Sequence, residues 1–125
     1  MAFKRQEGFR FAFGTPIEAN FIVLVDGNSS VEKQTCKVLD ISPRGMKVIT
    51  DVNLNNYAGD NVQLEVYFYL DETEIKALAD VVWVKTFGAK FQYGLIFDKQ
   101  PIVEELIIEE LKIRRRKEIS KTKSK

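Results

Sequence analysis

Six successive runs of alternating apolar and polar residues, joined by short turns, constrain this chain more than any other feature it has. In the clearest, Val62, Leu64, Val66, Phe68 and Leu70 fall on one side and Gln63, Glu65, Tyr67 and Tyr69 on the other. A period of two marks an extended strand with one face in a core and one in water, because successive side chains leave opposite faces. Ile17, Ala19, Phe21, Val23 and Val25 repeat the pattern, opposed at the start by Glu18 and Asn20, until the turn-forming run DGNSS at 26–30 ends it. The spacing predicts further strands at 33–41, 46–50, 75–85 and 91–97, separated by a turn at 42–45, an asparagine-rich loop at 51–60, Asp71-Glu72, and Gly88-Ala89. Consecutive strands with short connections imply an antiparallel sheet, and so many of them are most simply closed into a small barrel or a sandwich.

The period then changes. Asp98 is a plausible cap, Pro101 stands where a first helical turn tolerates it, and Ile102, Val103, Leu106, Ile107, Glu110 and Leu111 follow helical spacing. Glu104, Glu105, Glu109 and Glu110 load the N-terminal half, and Lys112, Arg114, Arg115, Arg116 and Lys117 the C-terminal half, as the helix dipole prefers. The chain is therefore expected to be mainly β, a six-stranded antiparallel barrel over 15–100 closed by a C-terminal helix at 101–117. The helix's apolar face is expected to cover one end of the sheet, and its surplus, including Ile108 and Ile113, suits either the same core or a partner helix. The last residues, 118–125, are mostly lysine, serine and threonine and are expected to form a disordered basic tail. Such a tail is either a solvated helix end or a contact for an anionic surface.

At 125 residues the chain suits one domain with a real core. It has no histidine, which removes the commonest general base and the commonest metal ligand. That excludes the familiar serine and cysteine hydrolases and argues against a zinc site. No carboxylate pair stands out by spacing, so no feature favours catalysis. Cys36 is the only cysteine and, between Thr35 and Lys37, reads as a small core hydrophobe. No stretch approaches the length of a membrane helix and the first residues lack a signal peptide's apolar region, so a cytoplasmic protein is expected.

Two polar stretches remain. In residues 1–14, Lys4, Arg5 and Arg10 are interleaved with Phe3, Phe9, Phe11 and Phe13. This composition suits an exposed arm for a flat anionic ligand, and equally an edge strand whose phenylalanines pack on the core. In LDISPRGMKV, Ser42, Pro43 and Gly45 match the first, second and fourth positions of a type I turn. Spacing alone reads this as strand, turn and strand. Asp40 and Ser42 nevertheless alternate with Leu39 and Ile41, so both polar groups leave one face of a strand end, where a polar ligand has room.

The basic arm, the motif Asp40-x-Ser42-x-x-Gly45, and strands closed by a helix together resemble the PilZ domain, the bacterial receptor module for cyclic di-GMP. The family's signatures are RxxxR, often preceded by another arginine, and [D/N]xSxxG. DISPRG matches the second in full, and Tyr93-Gly94-Leu95-Ile96-Phe97 is similar to the family's glycine-containing closing strand. In the first signature Arg10 falls on the final arginine and Arg5 on the extra leading one, while Gln6 occupies the place of the first arginine of RxxxR. Glutamine can bond a base edge but cannot neutralise a phosphate.

The resemblance implies a cyclic di-GMP site made of Arg5, Gln6, Arg10, Asp40, Ser42, Arg44 and Gly45. Arg5 and Arg10 would meet phosphate and guanine, Asp40 would accept from a guanine, Ser42 and Gly45 would shape the turn, and Arg44 would add a phosphate contact. The arm would fold over the nucleotide and create a surface for a protein partner. The expected function is a non-catalytic receptor with no cofactor beyond its ligand, serving motility, polysaccharide secretion or transcription. A PilZ-like interaction module that has lost the nucleotide is the alternative favoured by Gln6. An RNA- or DNA-binding small barrel is the least favoured of the three.

Overall fold

The structure is a computed structural model that describes residues 10–29, 32–54 and 62–123. Its strands are β1 (Phe11–Val25), β2 (Asn28–Ser29), β3 (Gln34–Ser42), β4 (Gly45–Thr50), β5 (Val62–Tyr69), β6 (Glu74–Phe87) and β7 (Lys90–Phe97), followed by one helix, α1 (Pro101–Lys123). The strands are ordered β2-β1-β3-β4-β7-β6-β5, and an additional pairing of β1 with β5 closes the sheet. The result is a six-strand antiparallel barrel, with β2 a two-residue return of the chain onto the end of β1. Asp26 and Gly27 make that return with φ of 53° and 84°, the left-handed pair that a two-residue hairpin turn requires.

Closure falls to β1, whose fifteen residues serve two neighbours. Its first part pairs with β3, from Phe11↔Ile41 to Phe21↔Gln34, and its second with β5, from Ala19↔Phe68 to Val25↔Val62. Alternation decides what lies inside: Phe21, Val23, Val38, Val48, Leu64, Val66 and Phe68 are all essentially inaccessible to water. Each such side chain contributes about 1.5–3 kcal/mol by leaving water.

α1 adds Ile107 and Leu111 to this core, while Ile108 and Ile113 are half-buried. Its polar groups fasten it to the turn after β5. The buried Glu110 carboxylate accepts from the backbone amides of Glu72 (3.1 Å) and Thr73 (3.2 Å), and the Arg114 guanidinium donates to the Leu70 carbonyl (2.9 Å). Asp98 is not seen capping the helix with its side chain, which instead accepts from Gln63 at 3.1 Å. The Gln100 side-chain amide accepts from the Leu78 amide and donates to the Leu78 carbonyl, and the Gln100 backbone carbonyl accepts from the Glu104 amide, leading the chain into the first turn.

Two boundaries depart from the pattern expected from sequence. β1 begins at Phe11, inside the range assigned to an arm, because Phe13 is buried beneath the Arg114 guanidinium (5.1 Å) and Phe11 packs beside it. α1 runs to Lys123, into the range expected to be a disordered tail, since no proline or glycine interrupts it and Arg114 pairs with Glu118 one turn on (3.4 Å). Residues 124–125 lie outside the described residues.

Burial pushes the Cys36 thiol up from 9.0 to about 12. Between those values the unfolded chain ionises its thiol and the native chain does not, so the neutral thiol's advantage is complete below pH 9 and is lost as pH rises towards 12. The wild-type protein should therefore lose about 1.4 kcal/mol per pH unit more than Cys36→Ala above pH 9. Denaturant unfolding of both proteins across this range checks it, and equal slopes would show that the thiol is not sequestered.

Candidate functional site

The turn between β3 and β4 is held by its own side chains. Ser42 Oγ donates to the Gly45 carbonyl (3.4 Å) and accepts from the Arg44 amide (3.3 Å). The Phe97 amide donates to the Arg44 carbonyl (2.8 Å), tying the turn to β7. Gly45 is required by this close approach, because a Cβ there would lie 2.3 Å from the Leu95 carbonyl oxygen.

Just before the turn the register of β3 against β4 shifts. Val38 pairs with Val48, but Asp40 pairs with Lys47 and Ile41 with Met46, so Leu39 is an extra residue. Without that bulge Asp40, two residues after the inward Val38, would face into the barrel. With it, Ile41 and Met46 fill the core and the carboxylate turns outward. A carboxylate inside an apolar barrel would cost several kcal/mol.

Cross-strand partners share a face, and from Asp40 the partners form one outward row across the barrel. Ala12 pairs with Asp40, Asp40 with Lys47, Lys47 with Gly94, and Gly94 with Trp83. Arg10, two residues before Ala12, is carried to the same face. The row lines an open groove of about 360 Å³ whose walls include Arg10, Asp40, Lys47, Trp83, Gly94 and Ile96. Gly94 lets the indole lie across the strand, since a Cβ there would lie 2.1 Å from Trp83 Nε1.

The electrostatics centre on Asp40, whose side chain is only 10% exposed. One carboxylate oxygen accepts from the Arg10 guanidinium, and the other lies 3.3 Å from Lys47 Nζ. Two cations thus face one carboxylate, leaving a positive charge in excess beside the half-exposed Trp83 and Ile96. The arrangement offers a carboxylate acceptor, cationic donors and an aromatic surface in one groove. Among the described residues no cluster of cysteine and carboxylate groups is placed to hold a metal ion, and no helix is long and apolar enough to cross a membrane.

Of the residues singled out from sequence, Arg10 and Asp40 meet in the groove, and Ser42 and Gly45 build the turn beside it. Arg44 is exposed on the turn and is not among the groove's walls. Arg5 and Gln6 lie outside the described residues. Sequence reasoning did not place Lys47, Gly94 and Trp83 in the site. The available signals were a lysine between two core positions, a glycine breaking a run of bulky strand residues, and the chain's single tryptophan.

A family model for the PilZ domain matches residues 4–113. The chain belongs to the PilZ family. Among solved structures, the PilZ domain of YcgR from Escherichia coli with c-di-GMP is similar to this PilZ domain at a TM-score of 0.65 and 12% identity, covering 92% of this chain and 95% of that one. The crystal structure of YcgR from Escherichia coli in complex with c-di-GMP matches at a TM-score of 0.59 and 16% identity, covering 91% of this chain and 49% of that one. At these identities the likeness is one of fold. No curated protein matches the chain.

The two glycines should respond differently to a methyl group. Gly45→Ala collides with a backbone carbonyl and is expected to cost about 2–4 kcal/mol, measured by denaturant unfolding. Gly94→Ala collides with a side chain that can move, so it should cost less and shift the tryptophan emission to the red as the indole leaves the strand. A larger loss for Gly94→Ala with unchanged emission would contradict this packing.

Proposed function

We propose that this PilZ domain is a cytoplasmic, non-catalytic receptor for cyclic di-GMP that binds the nucleotide in the groove at Asp40. The observation that carries the reading is the outward row joining Asp40, Lys47 and Trp83, with Arg10 closing on the carboxylate. Cyclic di-GMP presents two guanines and two phosphates. A carboxylate can accept from the N1–H and the exocyclic amine of guanine, and a guanidinium forks onto its O6/N7 edge or onto phosphate. Trp83 supplies a face for a base. The family match and the fold shared with YcgR structures that contain c-di-GMP support the assignment.

Binding is then an exchange of partners. Without ligand, Arg10 and Lys47 satisfy Asp40. Guanine takes the carboxylate, and the cations turn to phosphate. Arg10 lies immediately before β1, and we assign Arg5 and Gln6, which precede it in sequence, to the same nucleotide, with Ser42 and Gly45 holding the turn in place. The covered ligand and ordered arm form a new surface, which we assign to a protein partner in the control of motility, biofilm or exopolysaccharide.

Calorimetric titration of the full chain with cyclic di-GMP, with GTP as control, tests this. Saturable, selective binding is expected, weakened about ten- to a hundredfold in Arg10→Ala by loss of a charge-assisted bond, with little change in melting temperature. Gln6, in place of a motif arginine, favours one competing reading: a PilZ domain that binds its protein partner without nucleotide. Absence of heat and of thermal stabilisation at high ligand concentration would select it.

A further inference from the structure

We infer that Lys47 is a phosphate anchor built into the barrel wall, replacing the charge that Gln6 fails to supply; this rests on reading the groove as a cyclic di-GMP site. The chain departs from RxxxR by one cation, and Lys47 supplies one cation to the same groove from β4.

Three observations separate this role from simple neutralisation of Asp40. Arg10 already matches the carboxylate's single charge, so Lys47 leaves the cluster with a positive excess. The Lys47 side chain remains 36% exposed while that of Asp40 is 10% exposed, so the lysine keeps more contact with solvent than the carboxylate it faces. Backbone pairing also fixes Lys47 from both directions, to Asp40 on β3 and to Gly94 on β7. With no side chain at Gly94, the next group along the row is the Trp83 indole. A base stacked on Trp83 and bonded to Asp40 spans Lys47, which places the ammonium beside the adjoining phosphate. Arg10 stands before the first paired residue of β1, whereas the Lys47 backbone is paired on both sides, so only its side chain has to turn from Asp40 to phosphate. A side chain on paired backbone has less conformational freedom to lose on binding than one on unpaired backbone.

The test is calorimetry with cyclic di-GMP on the full chain as wild type, Lys47→Met and Lys47→Arg, at low and moderate salt. Lys47→Met keeps the stem and removes the charge, and Arg10 still satisfies Asp40, so its melting temperature should stay near wild type. Its affinity at low salt should fall about tenfold or more, as expected for a lost charge-assisted bond to phosphate. The gap from wild type should narrow as salt screens the interaction. Lys47→Arg should restore affinity to within about threefold, since guanidinium also binds phosphate. Lys47→Met binding within about twofold of a binding wild type would overturn the anchor and leave the receptor reading standing. A folded Lys47→Arg as weak as Lys47→Met would overturn it equally, because charge would then not be what matters. A wild type that does not bind would overturn the receptor reading and the anchor together.

Discussion

The pairing of β1 with β5 is the interaction on which the rest of the molecule depends. Seven consecutive partners, Ala19–Val25 against Val62–Phe68, turn an open sheet into a barrel and hide two edges that would otherwise invite pairing with other chains. Because the second part of β1 is committed to β5, its first part stays beside β3, and Ala12 stands opposite Asp40. The strand that closes the core is therefore the strand that brings Arg10 to the carboxylate. Stability and site assembly share one strand, whose register against β3 shifts between Ala12 at the site and Ile17 in the closing part.

The register of β3 against β4 explains why a charged row can cross a small barrel without entering it. Val38, Ile41, Met46 and Val48 need the interior, and the extra residue at Leu39 lets them have it while Asp40 and Lys47 face outward. At the other end of the row, Gly94 leaves the space that the indole covers. The site thus combines one bulge, one glycine and one turn whose glycine cannot carry a side chain. All of them shape a surface that holds a carboxylate and two cations beside an aromatic ring.

How much of this was legible in the sequence follows from the range of each interaction. The strand pattern, the final helix and the DISPRG turn are local, and alternation or spacing within a few residues reveals them. The interleaved phenylalanines of the first segment left arm and edge strand equally open, and Phe13 decides for strand by packing against Arg114, a residue far along the chain. The helix end is expected at 117 because lysine and serine content suggests disorder, whereas the helix runs on to Lys123 with no proline or glycine to interrupt it. Lys47 and Trp83 were missed for a different reason. Each is an ordinary strand residue until register places both on either side of Gly94.

The central claim is that cyclic di-GMP occupies the Asp40 groove. The most direct measurement is an isotope-labelled NMR titration with that nucleotide, following the backbone amides of Asp40 and Lys47 and the indole N–H of Trp83. These signals should move and saturate together, while the second open groove, lined by Glu18, Lys37, Asp51 and Lys90, should stay unperturbed. Shifts centred on that second groove, or no shifts at saturating nucleotide, would contradict the account.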